Sequence, residues 1–569
     1  MGIQGREYSI GQILNSAAGK VEVPPHQRPY SWENAELKEL WEDLMSFSDN
    51  LSGKTPEGKQ YFLGSIVGLE KPEERSLEVL DGQQRLATIT IALATIRDLL
   101  HEAGRQDLAQ KVNIGQIVAS SKMLDAPPEY VLKLGRVDDG FFRFTVLAYP
   151  PEEQKNIQAK TASQQAILRA KKFFRSQIIA HGESHGLALS AVALRLHHVV
   201  INQLTVVRVS SEAFDDVTDV FERLNDRGKG LSTLDLLRVY LIGKSPKQAQ
   251  ADVEEAWATV YELSQSATKV DAFLRHSWIT HRGDVKSRSL YKEIKAVLDS
   301  PDQPAPLNNT VQFSQSLAQD AELYRKMVEG KHPDDRCSYW LRAIGTLGAS
   351  NLWPAALAGS AVWANVPDYT NYATLLQRLV STFVRWNVIS GGESTVLEEA
   401  AFRVARIVRA GGGVEEASAL LRPYLQEDEA IVRSFQRLSV VRPGYQRYVL
   451  EALEDWYANP KSSMPPEKPV SDAKTLWIEH VYPQSPDKHW GRWVKHDEYL
   501  NRLGNLTLIH KRVNAAMKNG DFAAKKARYR ESGLLLNGYF EGVDSFSPQV
   551  IDQRQFEMAK CVPEVWKAF

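Results

Sequence analysis

The chain has 569 residues, 43% of them apolar and 24% charged. That is enough for three or four domains with large cores, and it excludes both a small staple-dependent fold and a disordered chain. Its 69 basic and 70 acidic side chains leave a formal charge of -1, which excludes a generally polybasic protein but not local basic patches.

The two cysteines, Cys337 and Cys561, supply neither a disulfide framework nor a four-ligand zinc site. The first ten residues contain no apolar run, so no secretory signal is expected. The longest uncharged stretch, residues 343–367, is interrupted by Asn351, Pro354 and Asn365, and reads as buried helix rather than a membrane span. A cytoplasmic protein without membrane contact is the expectation.

Three regions follow in chain order. Residues 1–245 mix strands and helices. Ser65–Leu69 and Leu77–Leu80 read as strands, and Leu86, Ile89, Leu93, Ile96 and Leu100 mark one face of the helix that follows. Gln203–Val209 reads as a strand. Val217, Val220, Phe221 and Leu224 then predict a helix that ends at Asn225, Asp226, Arg227 and Gly228. Residues 246–440 are helical throughout. Leu376, Leu379, Val380 and Phe383 form one apolar stripe, and Thr395 with Glu398 reads as a capping box. Residues 441–569 open on a Pro-rich stretch with Pro460, Pro465, Pro466 and Pro469. A strand ending at Glu479–His480, a long loop, a strand over Leu506–Ile509 and a helix from about Lys511 come next.

The last region conceals a charge asymmetry. Lys488 to Arg530 carries eleven Lys or Arg against three acids. Its chemistry centres on Glu479, His480, Asn505 and Asn514. Hydrolysing a phosphodiester needs a base for water and positive charge on the developing phosphorane, which one histidine and one divalent cation supply. Glu479 offers a hard oxygen ligand for Mg²⁺ or Mn²⁺, and Asn514 an amide oxygen. Asn505 stands where it can orient the strand carrying His480.

This strand–loop–strand–helix plan is that of an HNH (ββα-metal) nuclease. IEHVYPQ, LGNLTLI and Asn514 together resemble the nuclease half of GmrSD-type restriction enzymes, and Lys525, Lys526 and Tyr529 fit the same tail. The resemblance covers about residues 470–535. Position 514 holds Asn where many HNH enzymes have His.

Near the N-terminus, Asp81-Gly82-Gln83-Gln84-Arg85 joins a strand to a helix. Such a passage aims free N–H groups at one point, where Arg85 can clamp a phosphate. Gln83 or Asp81 can position a water, or Asp81 can hold a metal. An ordinary strand–helix turn with a surface arginine is the other reading.

Four ordered motifs, VPPHQRPYSWE, YFLGSIV, DGQQRLATI and FERLNDRGKGLSTLDLLR, are similar to the N-terminal domain of GmrSD-type and SspE-type proteins, and through it to the ParB nuclease-like fold. Family members often have Thr where this chain has Ala87. The resemblance implies that a nucleoside triphosphate (GTP, UTP, CTP or ATP) is bound and hydrolysed at Asp81, Gly82, Gln83, Gln84 and Arg85, with Gln27 and Arg28 on or beside the site. Tyr30 and Trp32 either stack on a base or pack in the core. Asn225 and Arg227 belong to a nucleotide or DNA surface or to a plain helix-ending turn, and Lys511, Arg512, Lys525 and Lys526 are candidate DNA contacts.

The expected architecture is multidomain α+β: a ParB-like domain over 1–245, a helical region over 246–440 and an HNH domain with surrounding helices over 441–569. The expected function is a single-chain, modification-dependent endonuclease of the bacterial cytoplasm that acts on double-stranded phage DNA under nucleotide control. A nucleotide-switched DNA-binding protein without nuclease chemistry and an unselective HNH toxin are the alternatives. One HNH site cuts both strands only as two copies or by two successive nicks, so a homo-oligomer is one expectation.

Overall fold

The computed structural model describes residues 4–24, 27, 29–49, 60–119, 129–135, 137–213, 216–217, 233–264, 270–300, 302–363, 366, 368–460, 476–486, 489–511 and 520–569. Contacts divide the chain into two compact units, Met1–Glu254 and Glu255–Phe569. Among the described residues, the first mixes helices with a sheet, and the second is helical apart from one hairpin. The segments 246–440 and 441–569 therefore lie largely in one unit.

In the first unit the described strands are β1 (Gln4–Ser9), β2 (Lys20–Glu22), β3 (Tyr61–Lys71), β4 (Ser76–Asp81), β5 (Leu132–Lys133) and β6 (Leu204–Ser211), in the order β1-β6-β3-β4-β2-β5. β3 runs parallel to β6 and antiparallel to β4, and β4 runs parallel to β2. The expected strands are present, each longer by one or more residues. Alternation of buried and exposed side chains fades at strand ends, which periodicity alone therefore misses.

Three helices matter for the site: α1 (Asn34–Asp49), α2 (Gln83–Glu102) and α3 (Ala162–His185). The apolar face expected of α2 is only part of what it buries. Thr88, Thr90, Thr95, Arg97 and Asp98 are buried as well, so the helix runs through the core rather than over it. Thr88, Thr90 and Thr95 each donate to the carbonyl one turn back, which satisfies hydroxyls that water cannot reach. The fully buried Arg97 donates to the carbonyls of Val146, Leu147 and Ala148 and pairs with Asp98. α2 begins at Gln83, three residues before the first apolar position, because polar first-turn residues leave no mark on the hydrophobic pattern.

The second unit packs α4 (Asp335–Leu347), α5 (Trp353–Trp363), α6 (Thr370–Phe383), α7 (Ser394–Arg409) and α8 (Pro443–Ala458), among other helices. Of the uncharged stretch 343–367, residues 343–347 close α4 and residues 353–363 form the buried α5, with Gly348 (φ 63°) ending α4. Among the described residues no single helix is long and apolar enough to cross a membrane. Thr395 does not cap α7: the helix starts at Ser394 with Glu393 in the cap position, two residues before the expected cap. Cys337 and Cys561 are both buried free thiols.

The hairpin consists of β7 (Leu476–His480) and β8 (Leu506–His510), antiparallel with His480 opposite Leu506. Two helices brace it, α9 (Phe522–Ser532) and α10 (Pro548–Ala559), around a core that includes Val481, Tyr482, Ile509, Phe522, Tyr529 and Ile551. The helix expected from Lys511 extends into residues outside those described. So does the helix expected over 217–224.

Candidate functional site

Three of the four N-terminal motifs meet at the start of α2. Gly82 has φ 95°, a left-handed conformation in which glycine carries no Cβ penalty, and it turns β4 into α2. The Gln27 side chain donates to the Leu80 carbonyl and accepts from Gln83. The Gln84 side chain accepts from Ser31 N–H and donates to the Pro29 carbonyl. Gln27, Gln83 and Gln84 are all buried, so the VPPHQRPYSWE segment is tied to the helix start by amide hydrogen bonds. They line a small cleft of about 30 Å³ together with Tyr30, Ala87 and Asp138. Burial raises the Asp138 carboxyl pKa, while Ser163 and the Tyr30 N–H donate to the carboxylate and oppose the shift.

Arg85 lies elsewhere. Its guanidinium reaches the Leu63 carbonyl at 3.2 Å and Asp81 at 3.5 Å. Gly64 makes this possible: with φ 123°, a Cβ there would fall 2.0 Å from Arg85 Nη1. The glycine of YFLGSIV is thus the seat of the arginine of DGQQR. The predicted nucleotide residues therefore form two groups, Gln27–Gln83–Gln84 around the cleft and Asp81–Arg85 against β3. Arg28 lies outside the described residues.

At the hairpin, Glu479 and His480 are successive residues of a strand, so their side chains leave opposite faces. Burial lowers the His480 pKa, the Asn501 amide opposes this, and the Lys525 charge adds to the lowering. Its Nδ1 is 3.5 Å from the Gln484 side-chain nitrogen, while Nε2 is buried with no hydrogen-bond partner among the described residues. Asn505 is fully buried. Its oxygen accepts from Tyr482 N–H at 2.7 Å, and its nitrogen donates to the carbonyls of Tyr482 and Leu500. The chain just past His480 is thereby fixed to the start of β8.

Residues 10–242 match the N-terminal domain of the GmrSD restriction endonucleases, and residues 426–561 match the C-terminal domain of the same enzymes. The chain belongs to the GmrSD restriction endonuclease family. It carries both halves in one polypeptide. No curated protein matches it.

Within a GmrSD frame several residue expectations change. Tyr30 is 4% exposed and its hydroxyl bonds Thr88, so it packs in the core and offers no face to a base. Trp32 is half-buried against the same core. Asn505 touches main chain alone and is a positioning residue, because burial keeps it from substrate. Lys525 is not on the surface: its side chain is 2% exposed, and its ammonium bonds Glu479 at 2.6 Å. Lys526 is half-buried and donates to the Val543 carbonyl. Lys511 is exposed, with its ammonium 5.8 Å from the ring centre of the exposed Trp477, an arrangement suited to a nucleic-acid backbone. Asn225, Arg227, Arg512 and Asn514 lie outside the described residues.

Among the described residues no group of three or more His, Cys, Asp or Glu could hold a metal ion. The oxygen set at the hairpin nevertheless fits a hard cation. Glu479 Oε1 and the carbonyls of His480 and Val481 all point at one positive group, the Lys525 ammonium. Burial raises the Glu479 pKa, and Lys525 opposes the shift.

Sequence reasoning missed the residues that hold this site from behind. Arg554, fully buried on α10, donates to the carbonyls of Gly504, Leu506 and Leu536, and its pKa is pushed down to about 10 by burial. Gln555 accepts from Gly504 N–H and Arg502, and donates to the carbonyls of Phe435 and Leu438. Gly504 is required by the close approach of α10, since a Cβ there would sit 2.1 Å from the Ile551 carbonyl oxygen. The LGN motif advertised the glycine; nothing in the sequence of α10 advertised its partners.

Proposed function

We propose that this chain is a modification-dependent DNA endonuclease acting on phage DNA, with HNH-type cleavage at the β7–β8 hairpin using Mg²⁺ or Mn²⁺. Nucleoside triphosphate binding and hydrolysis at the start of α2 would control it. One observation carries the nuclease reading: a half-buried imidazole at the end of a strand, its pKa lowered by burial, with no hydrogen-bond partner for Nε2 among the described residues. A buried polar atom without a partner is costly, and a substrate that completes its bonding removes that cost.

In this reading His480 takes a proton from water at Nε2. That requires the imidazole proton on Nδ1, and hence a flip of the Gln484 amide, whose nitrogen faces Nδ1 in the structure, so that its oxygen accepts from the ring. Asn505 and Lys525 fix the main chain on either side of the hairpin end, so the imidazole approaches the phosphodiester from a set direction. Glu479 would hold the divalent cation, which supplies positive charge to the phosphorane and leaving oxygen.

The nucleotide reading is supported by the convergence of three motifs on the start of a 20-residue helix whose first N–H groups have no intrahelical partner. Gln27, Gln83 and Gln84 present a preassembled cleft with amide donors and acceptors, and Arg85 supplies a cation against β3. The Lys511–Trp477 pair and the basic stretch 488–530 would meet the DNA backbone.

The test is cleavage of modified and unmodified phage DNA by the full chain, in Mg²⁺ or Mn²⁺, with and without each nucleoside triphosphate. Selective cutting of modified DNA that His480→Ala abolishes supports the proposal. Equal cutting of both DNAs removes the modification dependence. Nucleotide turnover with no cutting under any condition removes the nuclease.

A further inference from the structure

Lys525 has two properties that a DNA-contacting lysine lacks. Its side chain is 2% exposed, and its ammonium is shared among three oxygens: Glu479 Oε1 at 2.6 Å, the His480 carbonyl at 2.8 Å and the Val481 carbonyl at 3.1 Å. The Trp490 ring adds an aromatic face 5.6 Å away. The helix that delivers it is anchored at several points. Asp521 caps α9 through Ala524 N–H, and Phe522 and Tyr529 fix it in the core. The ammonium is therefore built into the site.

Oxygen atoms from one carboxylate and two main-chain carbonyls are also the surroundings that a hard divalent cation takes. We propose that Lys525 is the resident counter-cation of Glu479, and that a divalent cation reaches Glu479 only in competition with this ammonium. The inference rests on the role given to Glu479 above.

Two cations on one carboxylate repel across a site with little water to screen them. The divalent ion therefore binds the free protein weakly. A DNA phosphate, bringing its own oxygens and negative charge, shifts the balance, so metal loading is coupled to substrate. Without the ion, the buried carboxylate still has a partner and the hairpin stays folded.

The test is Mn²⁺ binding to the full chain at pH 8 without DNA, read by the electron paramagnetic resonance signal of free Mn²⁺. Wild type, Lys525→Met, Glu479→Gln and the double variant are compared. Lys525→Met is expected to bind Mn²⁺ at least tenfold more tightly than wild type, and the double variant is expected to lose that gain. Unchanged or weaker binding in Lys525→Met overturns the inference. So does a gain that survives Glu479→Gln, because the effect would then be general electrostatics. If Glu479→Gln leaves Mn²⁺ binding unaltered in every background, the metal role of Glu479 falls with it. Binding that depends on Glu479 without a gain in Lys525→Met sinks the lysine inference alone.

Thermal melts guard against misfolding. Mn²⁺ is expected to raise the midpoint of Lys525→Met more than that of wild type, and a variant that folds only with Mn²⁺ supports the inference. If Lys525→Met is insoluble with and without Mn²⁺, Lys525→Gln is judged by the same criteria.

Discussion

The start of α2 and the end of β7 are built on opposite plans. At α2 the amides of Gln27, Gln83 and Gln84 bond each other or main chain, and Arg85 has a carbonyl and a carboxylate. At β7 a buried ion pair lies on one face of the strand, and an imidazole nitrogen on the other has no bonding partner among the described residues. A site that recognises a ligand gains from being preassembled, since satisfied side chains lose little freedom on binding. A site that moves a proton needs an atom with free capacity, and the surrounding fold must hold it there.

The sharpest test of this contrast is His480→Ala. It should reduce DNA cleavage by about 10²–10⁴-fold, the usual contribution of a general base, with an unchanged far-UV spectrum and melting midpoint. Retained cleavage would mean that the unbonded nitrogen is incidental. Asn505→Ala should act through stability. It strips partners from Tyr482 N–H and from the carbonyls of Tyr482 and Leu500, all beside a fully buried side chain. A cost of about 3 kcal/mol is expected, measured by urea unfolding. A change under 1 kcal/mol would show that the loop is held by Arg554 and Gln555 instead.

The two sites were not equally legible. The hairpin strands could be read from their short apolar runs, and the Asn505 side chain bonds the main chain of Tyr482, just past the strand of His480. Lys525 was misread because eleven positive charges over 488–530 suggest a solvated face, and composition cannot say which one is turned inward. At α2 the motifs were visible, but their partition was not. That Gln83 and Gln84 face Gln27 and Pro29, while Arg85 faces Gly64, follows from the left-handed turn at Gly82 and the path of β3. Neither is written in the DGQQR pentapeptide itself. The helical region was legible as helix and illegible as packing: Arg385, fully buried, bonds the Trp566 carbonyl 181 positions away.

Acid offers a way to separate chemistry at the hairpin from the stability of the unit that carries it. Burial lowers the pKa of both His276 and His281 to about 4. In the unfolded chain each titrates near 6.5. As pH falls below 6.5 the unfolded state binds protons that the folded state does not, so stability falls with pH until about 4. At pH 5 each histidine should cost about 2 kcal/mol relative to pH 7. Denaturant unfolding of the full chain at the two pH values reads their share as the part of the difference that His276→Gln and His281→Gln remove, since His332 and His480 in the same unit are also lowered by burial. A pH-independent midpoint would show that acid loss of cleavage, if seen, belongs to the hairpin alone.

The smallest expected effect tests the other half of the contrast. Gly64→Ala places a methyl carbon 2.0 Å from Arg85 Nη1 at a φ of 123°, so the guanidinium must leave the Leu63 carbonyl and Asp81. If Arg85 binds nucleotide from that seat, the substitution should weaken nucleoside triphosphate affinity about tenfold, or about 1.4 kcal/mol, as read by calorimetry. Arg85→Ala should do the same, and the two together should do no more than either, because both remove one positioned cation. Additive losses would mean that Gly64 matters for β3 and not for its arginine. Unchanged affinity in both would leave the cleft of Gln27, Gln83 and Gln84 as the nucleotide site by itself, with the Asp81–Arg85 pair a structural tie between β3 and α2.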